Sequence, residues 1–389
     1  MQRTFLSRLL LSAVLLAGTA LSPARAYVGL CCGKCGGNMP MNIPGGGIPE
    51  THEYRFKLGP SLMHMAGLRD GTHGVSADSL LGMPAMGGFM AVPTDMDMKM
   101  LNLAMGYSFT DRFFAGAMFM WNDKRMDMRF NKMMRGITGR DGFTMTSRGL
   151  GDTMLMAKYR LFADDPLIPT RQGSLFFALS LPTGSIDERN RDHPVAMRRR
   201  ELLPYGMQLG SGTFDPTLGY LYQGSRSPYW WGVNAMVTAR LYDNKRDYRL
   251  GDALRLDAYL MYQVSARALL QAQLNLHRRG RIRGEMDEAA SGASGHAVQG
   301  DAGSPYATPL WDPDNYGGTQ AFVTLGAQWQ PAEFHVLDFQ VALPLYRDLN
   351  GPQLETDYRV MFTWFYELPT SRSIRYRGPR PGGTGRLGF

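Results

Sequence analysis

The sequence predicts an all-β fold, an antiparallel transmembrane β-barrel of about twelve strands with short periplasmic turns and long extracellular loops. Two observations predict this fold. Segments of about ten residues in which apolar and polar side chains alternate recur from residue 51 to residue 367, and very short connections alternate with long ones. No apolar run reaches the 18 or so residues of a membrane-spanning helix, so a helical membrane protein is excluded.

The clearest alternation lies in residues 95–130, on both sides of a short polar turn. A hairpin in which paired residue numbers sum to 222 sets Leu101 against Trp121, and it sets Lys99 against Asp123. Apolar side chains then meet apolar ones, and opposite charges meet. The pattern therefore predicts a two-stranded unit with one apolar and one polar face.

The same reasoning places the other strands. We predict them at about 52–65, 95–110, 112–130, 144–162, 173–184, 211–224, 228–241, 252–265, 267–281, 319–330, 334–347 and 356–367. We expect long connections at 66–94, 131–143, 185–210, 242–251, 282–318 and 348–355. An even strand number is typical of bacterial barrels, and the Ala-, Ser- and Gly-rich segment 282–318 is typical of a mobile surface loop.

The polar faces of these segments indicate that the barrel lies in lipid. In the segment 228–241, Tyr229, Trp231 and Val233 share one face, and Asn234 and Arg240 share the other. A water-soluble β-sandwich would turn its apolar face inward, whereas a membrane barrel turns that face to lipid and keeps the polar side chains inside. We therefore expect a polar, charged lumen.

The chain is expected to divide into four parts. Residues 1–26 have the basic start, the apolar run Leu9–Leu16 and the small-residue site Pro23-Ala-Arg-Ala26 of a secretory signal peptide. Residues 27–50 form a Cys-, Gly- and Pro-rich periplasmic segment, residues 51–367 the barrel, and residues 368–389 a basic tail. The predicted location is the outer membrane of a Gram-negative cell.

Loss of the signal peptide removes three arginines and lowers the formal charge from +8 to +5. Because an exported chain does not meet the nucleic acids of its own cell, the expected partners are outer-membrane lipids and lipopolysaccharide, together with a small solute or a metal ion. The sequence leaves the oligomeric state open.

The three cysteines of the chain, Cys31, Cys32 and Cys35, lie within seven residues. One interpretation is a disulfide, Cys32–Cys35 or Cys31–Cys35, with one thiol left over. The other interpretation is a thiolate cluster for a soft metal ion, to which Met39 and Met41 add thioethers. No histidine follows in a haem-attachment pattern.

Short phrases in the middle and C-terminal parts of the chain resemble a known family. They are Gly149-Leu-Gly-Asp-Thr153, Ala157-Lys-Tyr-Arg160, Ser180-Leu-Pro-Thr-Gly184, Gly210-Ser-Gly-Thr-Phe-Asp215 and Tyr248-Arg-Leu-Gly-Asp252. Over about residues 150–366 the chain resembles the outer-membrane barrels described as meta-pathway phenol-degradation transporters. The resemblance implies a porin-like barrel that passes small, often aromatic or apolar, solutes. The cysteine cluster and the methionine-rich first third depart from the family pattern.

Twenty of the 27 methionines lie between Met39 and Met156. The alternation turns most of those in strands toward the lumen, and it turns only Met105 and Met145 toward lipid. The predicted inward methionines are Met63, Met65, Met96, Met98, Met100, Met118, Met120, Met126, Met128, Met154 and Met156. Thioethers are soft ligands that select Cu(I), so these residues and the three cysteines are candidate metal ligands.

Three functions fit this lining. The first is a channel or transporter that handles a soft metal such as copper, with Cu(I) as the ion bound. The second is the passage of small apolar or aromatic solutes along a flexible, polarizable surface, and the third is a structural barrel in which methionine is a filler. We expect no enzyme activity, because the inward residues contain no Ser/His/Asp group and Gly45-Gly-Gly47 lacks the lysine of a phosphate loop.

Overall fold

The computed structural model of the 389-residue chain describes residues 39–43, 52–165 and 169–373. The strands are β1 Glu53–Gly71, β2 His73–Val75, β3 Ala91–Ser108, β4 Phe113–Phe130, β5 Gly142–Leu150, β6 Thr153–Ala163, β7 Arg171–Leu181, β8 Asp215–Arg226, β9 Tyr229–Thr238, β10 Tyr248–Arg249, β11 Ala253–Ser265, β12 Ala268–Arg279, β13 Arg283–Gly284, β14 Gly318–Trp329 and β15 His335–Pro369. The α-helices are α1 Ala77–Leu80, α2 Lys132–Thr138 and α3 Asp287–Ala290, and short 3₁₀ turns cover Pro84–Met86, Ala196–Arg200, Tyr205–Met207, Pro309–Trp311 and Pro313–Asn315. Within the described residues, no helix is both long enough and apolar enough to cross a membrane.

Eleven strands form one closed antiparallel barrel in the order β1-β3-β4-β6-β7-β8-β9-β11-β12-β14-β15, and β15 pairs again with β1. The 35-residue β15 reverses direction near Leu349. Its first part pairs with β14 up to Leu349, and its second part pairs with β1 from Leu349 to Pro369. Because both pairings are antiparallel, β15 crosses the barrel twice, and the wall has the twelve crossings that the sequence predicts.

The connections follow the predicted alternation of short and long. Short turns lie at 109–112, 227–228, 266–267 and 330–334, and only seven residues of sequence separate the end of β6 from the start of β7. The long connections 72–90, 131–141, 182–214, 239–252 and 280–317 all lie at the opposite end. We call these five segments the loop layer. The sixth predicted loop, 348–355, is wrong, because this stretch stays paired in β15 as the tip of a hairpin.

The register of the central hairpin is confirmed. Leu101 of β3 lies opposite Trp121 of β4, and Lys99 lies opposite Asp123. The next predicted strand, 144–162, is not continuous. Both β5 and β6 pair with β4, but the chain slips by one residue at Gly151-Asp152 between them. A slip of one residue turns every side chain beyond it to the other face.

The barrel has a polar inside and an apolar outside. Exposed side chains on the wall are large and apolar, and examples are Leu103, Phe119, Leu218, Val233, Leu274, Leu325 and Phe362. Many buried side chains of the same strands are polar, and examples are Asn234, Asp257, Gln273, Asn275, Thr324 and Gln340. This inversion suits a wall that faces hydrocarbon, and it agrees with the face assignment made from the alternation.

The loop layer folds onto the end of the barrel and has a small core of its own. This loop core contains Leu202, Tyr205, Tyr248, Ile282, Met286, Ala289 and Trp311. The two-residue strands β10 and β13 pair within it, and Arg246 bridges Asp187 at 2.7 Å and Asp287 at 3.0 Å. The prediction of a surface loop at 282–318 is therefore wrong, because apolar residues of that segment close a packed core.

The barrel lumen as candidate functional site

The N-terminal residues 39–43 lie inside the barrel. Met39 and Ile43 are each 1% exposed, and they pack against Phe176, Leu221 and other inward side chains. The full inner cluster contains Met39, Ile43, Phe176, Ala178, Leu221, Trp230, Met236, Tyr259, Met261 and Leu269. A chain segment that runs through the lumen narrows the path between the two ends of the barrel.

Polar groups of the wall hold the backbone of this segment. The side-chain amide of Gln328 donates to the carbonyl of Met39 at 2.9 Å, and the amide of Met41 donates to Asp338 at 3.1 Å. Lys57 donates to the carbonyl of Met41, and Arg255 donates to the carbonyl of Asn42 at 3.4 Å. These bonds satisfy backbone groups that would otherwise be buried without partners.

Nearer the loop layer, four methionines form a row across four strands. Met65 of β1 lies opposite Met96 of β3, Met96 lies opposite Met126 of β4, and Met126 lies opposite Met145 of β5. Neighbouring strands lie about 4.8 Å apart, so side chains of directly opposed residues touch. The row therefore forms a continuous band of thioethers on the inner wall.

The row is part of a larger apolar group that we call the mouth cluster. Its buried members are Leu68, Met90, Ala91, Val92, Met96, Met126, Met128, Phe130, Met134, Met145, Leu203, Met207, Ala307 and Leu354. Leu203, Met207 and Ala307 belong to the loop layer, so the loops cover the methionine row. A cavity of about 30 Å³ remains between the cluster and the loop residues His193, Arg198 and Glu201.

The predicted inward methionines are not one continuous ladder. Met96, Met126 and Met128 are buried in the mouth cluster, with Met65 and Met98 packed against it. Met154 and Met156 pack against the inner cluster near the N-terminal segment. The rest, Met63, Met100, Met118 and Met120, are partly buried on the inward faces of β1, β3 and β4.

Cys31, Cys32 and Cys35 lie outside the described residues. The sequence indicates Met90 as a further candidate in the loop before β3, but its alternation does not indicate Met134 or Met207, which also come from loops. The alternation assigns Met145 to the lipid face, and this prediction is wrong, because the slip at Gly151-Asp152 turns that methionine inward to 3% exposure. Met105 points outward as predicted and is 48% exposed.

A hydrogen-bonded network lines the wall around the N-terminal residues 39–43. Asp338 accepts from Gln271, Gln328 and Gln340 at 2.9 to 3.0 Å. Asp257 accepts from Asn275 at 2.6 Å and pairs with Arg255 at 2.7 Å. Buried polar groups that are this fully bonded make a rigid wall. The ion pair of Arg255 and Asp257 in this network agrees with the polar, charged lumen that the sequence predicts.

Two titratable groups in the loop layer lie beside the cavity. Burial raises the pKa of Glu201 to about 7, although the guanidinium of Arg198, 3.0 Å away, opposes that shift. Burial and the nearby charge of Arg198 lower the pKa of His193 to about 4. At neutral pH, His193 is therefore uncharged beneath the loops, and Glu201 is near its midpoint.

Within the described part of the chain, no group of three or more His, Cys, Asp and Glu side chains is placed to hold a metal ion. Thioether sulfur, the soft ligand that the methionines offer to Cu(I), is not among these donors.

The fold is similar to that of solved outer-membrane proteins. The crystal structure of an outer-membrane channel from Pseudomonas putida F1 matches with a TM-score of 0.52 and 12% identity, over 86% of this chain and 98% of that chain. The chain has the fold of an outer-membrane channel. No protein-family model matches the sequence, and the comparison with curated proteins finds no relative.

Two other structures match with lower scores. The toluene transporter TodX of P. putida has a TM-score of 0.38 and 9% identity, over 83% of this chain and 91% of that chain. A Pseudomonas aeruginosa FadL homologue has a TM-score of 0.37 and 10% identity, over 81% of this chain and 90% of that chain.

Proposed function

We propose that the protein is an outer-membrane channel for small apolar or aromatic solutes, as in the phenol-degradation transporters that its sequence resembles. The observation that carries this proposal is the mouth cluster. A pore for hydrophilic solutes needs polar, hydrated side chains along its whole inner wall. In this barrel the inner wall under the loops is built from thioethers and aromatic rings. Flexible methionines can repack around apolar molecules of different shapes.

Uptake of naphthalene by cells with an intact lipopolysaccharide layer tests this proposal. Cells that produce the protein are expected to take up naphthalene faster than cells without it. Met96→Gln with Met126→Gln places polar amides in the mouth cluster and is expected to slow uptake. Met100→Gln is the matched control, since Met100 faces the lumen between Ser61 and Asn122, outside that cluster. Equal uptake with and without the protein would refute the proposal.

Soft-metal handling is the second candidate function, and the row Met65, Met96, Met126 and Met145 favours it. Four thioethers on adjacent strands could supply three or four ligands to one Cu(I) ion. With the thiols of Cys31, Cys32 and Cys35 at the N-terminus, such ions would have soft ligands at two places along the chain.

Titration of the purified protein with Ag(I) against a competing chelator tests the second candidate. Replacing the four methionines of the row by leucine keeps the apolar surface and removes the thioethers, so affinity for Ag(I) is expected to fall. Met105→Leu on the lipid face is the control. Unchanged affinity in the fourfold variant would refute metal binding at the row and leave passage of apolar solutes intact. Methionine as a structural filler predicts neither uptake nor metal binding.

A further inference from the structure

Three arginines and one histidine gather in the lumen just below the loop layer. His277 and Arg279 lie on the inward face of β12, Arg255 lies opposite His277 on β11, and Arg359 lies on the second half of β15. Phe322 of β14 joins them, since its ring lies 5.6 Å from the ring of His277 and 6.0 Å from the Cζ atom of Arg359. We call His277, Arg279, Arg255 and Arg359 the lumen cradle.

The cradle has more positive charge than its neighbours neutralise. Asp257 pairs with Arg255 at 2.7 Å. Among the described residues, neither Arg279 nor Arg359 forms an ion pair with a carboxylate. Arg279 also lies close enough to Lys124 for their two positive charges to repel each other. Lys124 donates to the carbonyls of Gly206 and Gln208. Arg359 is half-buried and Arg279 is exposed to the lumen. A guanidinium group that is partly removed from water without an anion is costly, so a bound anion would stabilise Arg359.

Two nitrogen atoms of the cradle have no hydrogen-bond partner. The Nε atom of Arg359 and the Nε2 atom of His277 are both shielded from water, and neither makes a hydrogen bond. Unsatisfied buried polar groups of this kind call for a specific reason, because each costs free energy in the folded state. Two such atoms around one aromatic ring point to a missing polar partner, which for Arg359 must be an acceptor.

An apolar surface lies directly beside the cradle. Arg359 lies opposite Met63 in the sheet register and donates from Nη2 to its sulfur at 3.4 Å. Met63 in turn lies opposite Met98, which packs against the mouth cluster. A solute with its acidic group at Arg359 can therefore rest its apolar part on thioethers and on Phe322.

We infer that the lumen cradle binds an amphipathic solute that carries a carboxylate. The guanidinium groups donate hydrogen bonds to the carboxylate, and the thioethers contact the apolar part of the solute. Arginine suits this task because its donors match the two carboxylate oxygens. This inference rests on the proposed passage of small aromatic solutes and narrows their class to aromatic acids. Asn42 of the N-terminal residues 39–43 lies beside the cradle, since Arg255 donates to its carbonyl.

Binding to the purified full-length protein tests the inference with benzoate, benzyl alcohol and acetate. Benzoate carries the acid and the ring, benzyl alcohol carries only the ring, and acetate carries only the acid. We expect benzoate to bind more tightly than either. Arg279→Gln and Arg359→Gln are each expected to weaken benzoate binding about tenfold, which is about 1.4 kcal/mol, with little effect on benzyl alcohol.

Arg278→Gln is the matched control, because Arg278 is the neighbour of Arg279 on the opposite face of β12. Variants are compared only if they keep the heat-modifiable gel migration of a folded barrel. The inference is overturned if benzyl alcohol or acetate binds as tightly as benzoate, or if Arg279→Gln and Arg359→Gln bind benzoate like Arg278→Gln. Naphthalene uptake distinguishes the failures, since it persists if only the cradle is wrong and is absent if the proposed channel function is wrong.

Discussion

Met126 of β4 lies directly opposite Met145 of β5, and both side chains are buried inside the barrel. An uninterrupted strand would have turned Met145 to the lipid. The slip at Gly151-Asp152 thus completes the row of methionines. A Cβ atom at Gly151 would lie 2.6 Å from the side-chain nitrogen of Asn122, so a larger residue at this position would have to displace that side chain.

Asp152 links this register slip to the loop layer through hydrogen bonds, and Asp152→Ala is predicted to destabilise both. Its carboxylate accepts from the amide of Gly184 at 2.9 Å and from the amide and hydroxyl of Ser211, each at 2.8 Å. Hydrogen bonds to a buried charge contribute about 1.5–3 kcal/mol each, so we expect a loss of about 3 kcal/mol or more in the free energy of unfolding. Urea unfolding of the lipid-refolded barrel measures the loss.

The matched control for that prediction is Asp243→Ala, because Asp243 is half-exposed and pairs only with Arg249 in the described structure. Exposed ion pairs contribute at most about 1 kcal/mol. Equal unfolding free energies for the two variants would show that Asp152 does not anchor the loops.

The loop layer is predicted to respond to pH through two opposing groups. Burial raises the pKa of Glu201 from 4.5 to about 7, so rising pH ionises the unfolded loop first and lowers folded stability across that window. Burial lowers the pKa of His193 from 6.5 to about 4, so falling pH protonates the unfolded loop first and lowers folded stability there. Between about pH 4.5 and 6.5 the two groups change the folded stability in opposite directions, so neither effect is visible alone in the unaltered protein.

Hydrogen exchange of the backbone amides of residues 182–214, corrected for the pH dependence of the intrinsic exchange rates, separates these two effects in single variants. Glu201→Gln is expected to leave protection that falls as pH drops from 6.5 toward 4. His193→Gln is expected to leave protection that falls as pH rises from 4.5 toward 7. Identical pH profiles in both variants and the unaltered protein would contradict the assignment.

Sequence alone predicted the barrel well because a strand with one lipid face must alternate. The pairing of Leu101 with Trp121, the twelve crossings and the outward Met105 all follow from that constraint. It could not predict Met145, because one extra residue at Gly151-Asp152 reverses the alternation. The sequence could not predict the mouth cluster either. Met90, Leu203 and Met207 come from loops, and the packing of loops leaves no periodic pattern in the sequence.

The mouth cluster is predicted to depend on methionine volume more than on sulfur for its stability. Met126 is 5% exposed. Met126→Ala leaves a cavity and is expected to cost about 2–5 kcal/mol, whereas Met126→Leu nearly conserves volume and is expected to cost less than about 1.5 kcal/mol. Urea unfolding compares the two variants, with Met118→Ala at a partly buried inward position as control. A leucine variant as unstable as the alanine variant would contradict this prediction.

Removal of residues 27–43 is predicted to raise single-channel conductance in planar bilayers. Residues 39–43 occupy the lumen, and their carbonyls and amides have Gln328, Asp338 and Arg255 as hydrogen-bond partners. The deletion therefore opens space in the lumen and leaves these polar side chains free to contact water.

Ile43→Glu is the milder variant, since a carboxylate among Phe176 and Leu221 would be buried without a partner and would favour displacement of the segment. Met41→Gln is the control, because Met41 is only partly buried and its backbone bonds do not depend on its side chain. We expect conductance to rise in the deletion variant and in Ile43→Glu but not in Met41→Gln. Unchanged conductance after the deletion would mean that the segment does not limit the ion path, and the restriction would then lie where Leu203, Met207 and Ala307 cover the methionine row.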